Sequence, residues 1–570
     1  MRSILKKKTI VVNNWWDSLD KPVYGGEIKI RASRNIENFD PYYAESLTSI
    51  YGGWMERLIS DDWTVNPAEW EYKMAWHPSK YMKGQLAESW EFPHPGIHVV
   101  HLRKGVHWQN IPPANGREFI AEDVVFHYNR LCGLGGGFTK PSPFNLEDAF
   151  RELVSVTAVD KYTVVFKWKI TNSDLIMETL HGVMQRQCIE NPEAVMEWGN
   201  LKDWHHAIGT GPFILQNFLP NREALLVKNP NYWGYDERYP VNRVPYVDAI
   251  RYIIIPNDND ALAAMRSGEI DAIYGISLKC AQEIRRTNPE IIQETDPTMQ
   301  AITVQPRNDK APFNDIRVRK ALQMAINLSK LAKEYYHGAV EPYPSSVLSS
   351  YFSRAMKGWG FPYEEWPKDL KHEYSYDPDM ARQLLAEAGY PKGFKTNIVI
   401  DTSADMELFQ IVKSSFYQIG IEMEVRPMES TECTAFVEAR KHDQLVFRPY
   451  GPLGHTYAPF QAISRLHTRN SSNWTMVSDP VIDALYSKAL VAGDESELKQ
   501  IVKDMNEHVA RQHFAISLLK PSTYSLCQPW LKGFNGQIHS IWMGVGGPSR
   551  LSFYGARFWI DTNLKHLAGH

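Results

Sequence analysis

A chain of 570 residues exceeds what one hydrophobic core usually organises, since single cores stop growing near ~250–300 residues, so two or three lobes are expected. Apolar residues make up 43% and charged residues 22%, a globular balance that excludes a disordered polymer. The 62 basic and 66 acidic residues are well mixed, for a net charge of −4, and no basic stripe or lysine-rich amphipathic helix points to nucleic acid or a membrane surface.

In chain order, residues 1–21 read as a tail. Met1-Arg-Ser-Ile-Leu-Lys-Lys-Lys8 is positively charged, but the apolar run after it is shorter than the ~7–15 residues of a secretory h-region, so no export signal is expected there. No later run reaches the ~18–20 apolar residues of a membrane span. Gly26-Glu-Ile-Lys-Ile-Arg-Ala-Ser33 alternates apolar and polar, which predicts a half-buried strand. Residues 154–168 predict two short strands around a turn at Asp160-Lys161. Residues 247–256, with Ile250, Tyr252 and Ile254 in alternation, predict another strand. A short helix over 257–268 follows, with polar N-cap candidates at its start and Gly268 at its end.

Between Asp315 and Asn327, the residues Val318, Ala321, Leu322, Ala325 and Ile326 share one helical face. Asp377-Pro378, ahead of Ala381, Leu384, Leu385, Ala388 and Gly389, sets out an N-cap, a proline at the first helical position and a closing glycine. Asp479-Pro480 opens a similar helix carrying Val481, Ile482 and Leu485. Residues 395–400 and 421–425 read as strands flanking a helix over 406–417. Strands and helices intermix throughout, so the class is α/β. No repeat or low-complexity linker occurs, so short crossings must join the lobes.

The usual chemical motifs are missing. Gly133-Leu-Gly-Gly-Gly-Phe-Thr-Lys140 lacks phosphate-loop spacing and reads as a flexible loop. His205-His206 and His467 have no HExxH-type partner, and no GxSxG elbow exists. Asp61-Asp62 and Glu122-Asp123 suit turns or helix caps better than an acid/base pair. Cys132, Cys188, Cys280, Cys433 and Cys527 are far apart and form no CxxC pair, so no metal site is expected and at most one or two disulfides. The 18 Trp, 28 Tyr and 23 Phe belong mostly to cores, yet in a cleft they would suit stacking on a ligand.

Nine blocks carry a family resemblance. They are Leu86-Ala-Glu-Ser-Trp90, His101-Leu-Arg-Lys-Gly-Val-His-Trp108, Phe119-Ile-Ala-Glu-Asp-Val-Val-Phe126, Gly209-Thr-Gly-Pro-Phe213, Asn229-Pro-Asn-Tyr-Trp233, Pro245-Tyr-Val-Asp248, Arg266-Ser-Gly-Glu-Ile-Asp271, Phe313-Asn-Asp-Ile-Arg-Val-Arg-Lys-Ala-Leu322 and Trp530-Leu-Lys-Gly-Phe534. Collinear over about residues 25–540, they resemble the solute-binding proteins of the oligopeptide/dipeptide/nickel family of ABC importers (family 5, cluster C type). Each block also has a plain structural reading: Asp123 and Asp315 as helix-start residues, Gly209 and Gly211 as a turn into a strand.

The resemblance implies a two-lobed periplasmic-binding-protein (Venus flytrap) fold with an extra domain inserted in the first lobe. By analogy the first lobe comprises 22–60, 209–297 and 515–570, the insert 61–208 and the second lobe 298–514. Crossings are expected near 298–303 and 514–519. The implied function is a receptor, not an enzyme, that captures a small-molecule solute and delivers it to ABC permease transmembrane subunits. It is expected to be monomeric, periplasmic or attached to the cell surface, and without cofactor. Alternatives are an ordinary di/oligopeptide receptor, a chaperone or chemoreceptor adaptor on the same scaffold, and a glycan-acting hydrolase, which needs two acids ~5–10 Å apart.

In peptide-binding relatives an aspartate in a second-lobe loop holds the peptide ammonium. The segment that looks equivalent, Leu445-Val-Phe-Arg-Pro-Tyr-Gly-Pro-Leu-Gly-His-Thr-Tyr-Ala-Pro-Phe460, contains no acid. A desolvated ammonium without a counter-charge is costly, which argues for a non-standard solute such as an oligosaccharide, an opine-like acid or a modified peptide. The same segment offers Arg448, as a carboxylate grip or a structural cap on carbonyls, with Tyr450 and His455. Resemblance adds Trp474, Phe144 and Asn308 as family-like cleft or hinge positions, with Arg307 as a companion. Tyr42 and Trp54 are candidates from the first lobe.

Overall fold

The computed structural model describes residues 14–43, 50–70, 77–143, 148–181, 187–296, 302–344, 358–448, 460, 464–470, 472–534 and 551–570. The largest sheet has seven strands, in the order Ile292–Asp296, Thr523–Cys527, Ala272–Ile276, Glu27–Ala32, Ala249–Ile254, Glu223–Lys228 and Phe213–Leu219. Its central strand is the alternating segment Glu27–Ala32, which buries Ile28 and Ile30. That strand runs parallel to both neighbours, with Ile28 opposite Ile250 and Ile30 opposite Ala272, and the outer strands pair antiparallel. Asn257 accepts the amides of Asn259 and Asp260 to start helix Asp258–Arg266. Gly268, at φ +69°, then turns the chain back into the sheet in a conformation that favours glycine.

A second sheet has the order Ile421–Met428, Phe394–Asp401, Leu445–Arg448, Thr303–Pro306 and Ile516–Ser517. Helices Ile316–Met324, Pro378–Glu387 and Pro480–Ala489 start on Asp315, Asp377 and Asp479, whose carboxylates accept first-turn amides as their sequences predict. The sheet and the first two of these helices have a core of their own, built from Val304, Val318, Leu322, Ile398, Ile400, Leu408 and Phe447, whereas Ile482, Tyr486 and Ala489 of the third helix join the core of the first sheet.

The third sheet is antiparallel, in the order Ala87–His94, Ile97–Leu102, Thr163–Trp168 and Leu153–Asp160. Its last hairpin turns at Lys161-Tyr162, one residue beyond the predicted turn, because Asp160 stays in the strand and accepts the Tyr162 amide at 2.8 Å. It shares its core with the first sheet: Val100, Val124, Tyr128 and Phe166 are continuous with Ile28, Trp54 and Tyr252. Buried charge reinforces the seam. Arg130, on helix Ala121–Cys132, donates to both oxygens of Asp40 at 3.0 and 2.8 Å and to Glu190 at 3.2 Å. Taking ions out of water is tolerated only with such partners.

Gly209 and Gly211 owe their identity to this seam. Gly211 donates its amide to the Trp54 carbonyl at 2.8 Å, and a Cβ at either glycine would overlap the Trp54 backbone. Close backbone approach, more than a turn, is therefore the reason for the Gly-x-Gly pattern.

The chain passes from the first sheet to the second between Asp296 and Thr303, and back between Ser517 and Thr523. Part of the first crossing lies outside the described residues. Ile516–Ser517, inside the segment that the sequence assigns to the first lobe, pairs with Thr303 and Val304 of the second sheet.

Candidate functional site

Strand direction decides which residues share an edge. Phe394–Asp401, Ile421–Met428 and Leu445–Arg448 are parallel and bring Asp401, Met428 and Arg448 to one edge. Thr303–Pro306 runs the other way and places Thr303 opposite Arg448. The chain enters Thr303–Pro306 from the first sheet and leaves after Ser517, the other neighbour of Thr303. The Arg448 edge is therefore the one from which both crossings depart. Open α/β sheets hold ligands in the crevice beyond the carboxyl ends of their strands.

Arg448 is fully buried there. Its Nη2 donates to Thr434 Oγ1 at 2.9 Å, and its guanidinium lies 5.4 Å from the Trp474 ring centre, within cation–π range. Trp474 is fixed in turn by its Nε1–H, which donates to Gln305 Oε1 at 2.9 Å. Cys433 packs in the same small cluster, and burial pushes its thiol up to about 11 even though Arg448 favours the thiolate. Asp401 is committed locally: Oδ1 accepts the Ser403 amide at 2.8 Å and its hydroxyl at 2.6 Å, and Oδ2 accepts the Ser430 hydroxyl at 3.1 Å. The residues around Arg448 thus form a cationic, aromatic-faced edge.

The structure brings Arg448 and Trp474 together and sets Arg307, Asn308, Trp54 and Tyr42 apart from them. Arg307 and Asn308 follow Pro306, which pairs with Leu445, and so lie at the opposite edge of the sheet. Arg307 directs Nε and Nη2 to Asp309 at 2.8 and 2.7 Å, and Nη1 to the carbonyls of Arg440 and His442 at 3.0 and 2.8 Å. Asn308 Nδ2 donates to the carbonyls of Thr475 and Phe514 at 3.0 and 3.1 Å, tying two segments of the lobe together. Trp54 is wholly inside the first-lobe core, packed near Phe39. Tyr42 is half-buried at the seam with the insert; its hydroxyl donates to the Lys140 and Pro141 carbonyls, and Arg130 lies 4.8 Å from its ring centre. Phe144, Tyr450 and His455 lie outside the described residues. Thr434, Gln305 and Asp401 were not singled out by sequence, although Asp401 directly follows a predicted strand, where an edge residue belongs.

A further contact joins the segment after the third sheet to the chain after helix Pro480–Ala489. Thr171 of the insert donates its amide to the Leu490 carbonyl at 3.2 Å, and Asn172 Nδ2 donates to the Ala492 carbonyl at 2.9 Å. Among the described residues no group of three His, Cys, Asp or Glu could hold a metal ion, and no helix is long and apolar enough to cross a membrane.

Two α/β lobes joined by two crossings, with a third sheet fused to the first, define a periplasmic-binding-protein fold with an extra domain. Residues 82–468, more than half of the chain, match the model of the bacterial extracellular solute-binding proteins, family 5, and the chain belongs to that family. It is a solute-binding protein, and its family binds without catalysing. The heme-binding protein A of Haemophilus influenzae is 24% identical over 470 residues, covering 79% of this chain and 81% of that protein. The glutathione-binding protein GsiB of Shigella flexneri is 25% identical over 469 residues, covering 80% and 83%. The periplasmic binding protein DppA of Helicobacter pylori, solved in complex with the peptide STSA, superposes with a TM-score of 0.74 at 20% identity, covering 95% of this chain and 99% of that one.

Proposed function

We propose that this receptor closes its two lobes over a small solute bearing a carboxylate, of the opine-like-acid, acidic-oligosaccharide or modified-peptide class, and presents the closed form to an ABC permease outside the cytoplasmic membrane, acting as a monomer. The observation that carries this reading is the buried Arg448 at the carboxyl edge of the second sheet, faced by Trp474. A guanidinium matches a carboxylate through two parallel N–H donors, and the indole face suits a ring or an aliphatic patch beside it. An ordinary peptide would place an ammonium in the second lobe. Residues 445–460 contain no acid for it, and Asp401 already has three donors.

Closure is a population shift. Moving a 1:99 equilibrium to 99:1 takes about 5.5 kcal/mol of differential affinity, so the solute must contact both lobes. The bonds from Thr171 and Asn172 to Leu490 and Ala492 supplement such contacts.

A thermal-shift screen of peptides, neutral and acidic oligosaccharides, and opines tests the reading. A ligand at 100 times its Kd adds about 2.7 kcal/mol of stability. Stabilisation by acidic solutes, absent with neutral analogues, is expected. Stabilisation by simple dipeptides irrespective of acidity supports the ordinary peptide receptor instead.

A further inference from the structure

A cavity of about 890 Å³ opens in the seam between the insert and the first lobe, and none of its lining residues belongs to the second sheet or its helices. We infer that this cavity is a second binding site, for a small polyvalent anion built on carboxylate or phosphate groups. Its volume lies within the ~300–1,000 Å³ usual for small-molecule sites. One wall comes from the insert, with Lys83, Arg103 and Lys104. The other comes from the first lobe, with Trp233, Phe553 and Arg557.

Charge selects the ligand class. Arg103 lies over the indole of Trp233, its guanidinium 4.8 Å from the ring centre. Its Nε donates to the Gln85 carbonyl at 3.1 Å, and among the described residues its two terminal nitrogens make no hydrogen bond. Lys83 pairs with Asp62 at 3.6 Å, and Lys104 is exposed and, among the described residues, forms no ion pair. The acids of the lining are largely committed. Glu237 is held by the Arg557 fork, including Nε at 2.8 Å, and Asp236 accepts the Tyr246 hydroxyl at 2.8 Å and the Arg238 amide at 2.9 Å. Glu88, exposed at the rim, is the remaining carboxylate. The lining thus carries four cations, Lys83, Arg103, Lys104 and Arg557, against the three carboxylates of Glu88, Asp236 and Glu237, and its two cations without an ion pair among the described residues, Arg103 and Lys104, favour an anion that can reach both.

The site is also built from behind. Tyr232 and Trp233 both donate to the buried Glu56, at 2.8 and 3.0 Å, as does Gln85 at 3.0 Å. Those bonds hold the indole in place, so the Arg103 that lies on it keeps its outer donors available. Burial pushes the Glu56 carboxyl up, which lessens its repulsion of a bound anion.

Isothermal titration of the full chain with citrate and with pyrophosphate tests the inference, and the two probes separate a carboxylate ligand from a phosphate one. Expected is 1:1 binding of at least one probe that weakens at least tenfold in both Arg103→Ala and Lys104→Glu. Arg448→Ala, in the other site, should change it by less than twofold. Because Lys104 is exposed, its variant folds, and a matching thermal melt verifies this. The inference is overturned if neither anion binds the unsubstituted protein, if both seam variants bind as tightly as it does, or if Arg448→Ala alone abolishes binding.

Discussion

Arg307 and Arg448 are buried arginines at opposite edges of the same five-stranded sheet, and their surroundings give them different work. Arg307 spends its fork on Asp309 and on two carbonyls of one turn, so it holds the chain together. Arg448 stands at the edge from which both crossings leave, against a hydroxyl and an indole face. Sequence offers both as ligand contacts. On the proposed reading, a buried arginine's role follows from strand direction and partner geometry, not from residue type.

The largest expected effect falls on the structural edge. Arg307→Ala should lower unfolding stability by about 2–3 kcal/mol, less than for a fully buried pair because Asp309 is 37% exposed. Urea unfolding measures it, and solute affinity should move less than twofold; a tenfold loss of affinity would break the contrast between the edges. A pH effect of similar size belongs to the same edge. His442 lies in the turn that Arg307 grips, and burial, with Arg307 beside it, pushes its imidazole down to about 4. The unfolded chain takes up that proton near pH 6.5 while the folded chain does not. The stability is therefore complete above pH 6.5 and is lost as pH falls toward 4, at up to about 1.4 kcal/mol per pH unit. Urea unfolding at pH 7, 6 and 5 should show a shallower slope for His442→Asn; an unchanged slope would remove His442 from the cause.

The proposed ligand edge gives the next effect. Arg448→Ala should weaken an acidic solute at least tenfold, ~1.4 kcal/mol by titration calorimetry, and unchanged affinity would discard the grip on a carboxylate. The smallest concerns the inter-lobe contact. Asn172→Ala removes one hydrogen bond made between lobes and should raise Kd roughly threefold, about 0.7 kcal/mol, without altering which solute binds.

Much of the fold was legible because local chemistry announces it. Asp315, Asp377 and Asp479 cap the helices their sequences predict, and the alternation of Ile28 and Ile30 marks the central strand. Helix Glu495–Gln512 is not among the predicted elements, although Leu498, Ile501, Val502, Met505 and Val509 carry a helical period. Strand order and direction were not legible, because Thr303 meets both Arg448 and Ser517 only through pairings between segments more than a hundred residues apart. The site inherited that limit. Arg448 and Trp474 come together, whereas Arg307 and Asn308, adjacent to a strand of the same sheet, emerge at its other edge. Trp54 looked available as an aromatic, but the close approach of Gly209 and Gly211 to its backbone is a tertiary fact that seals it inside the core.

Small-angle X-ray scattering of the full chain, with and without the solute that the thermal-shift screen identifies, tests capture between the lobes most directly. A smaller radius of gyration with solute, not reproduced by Arg448→Ala at the same concentration, is the expected result. Saturating binding that leaves the scattering curve unchanged would contradict closure over a guest.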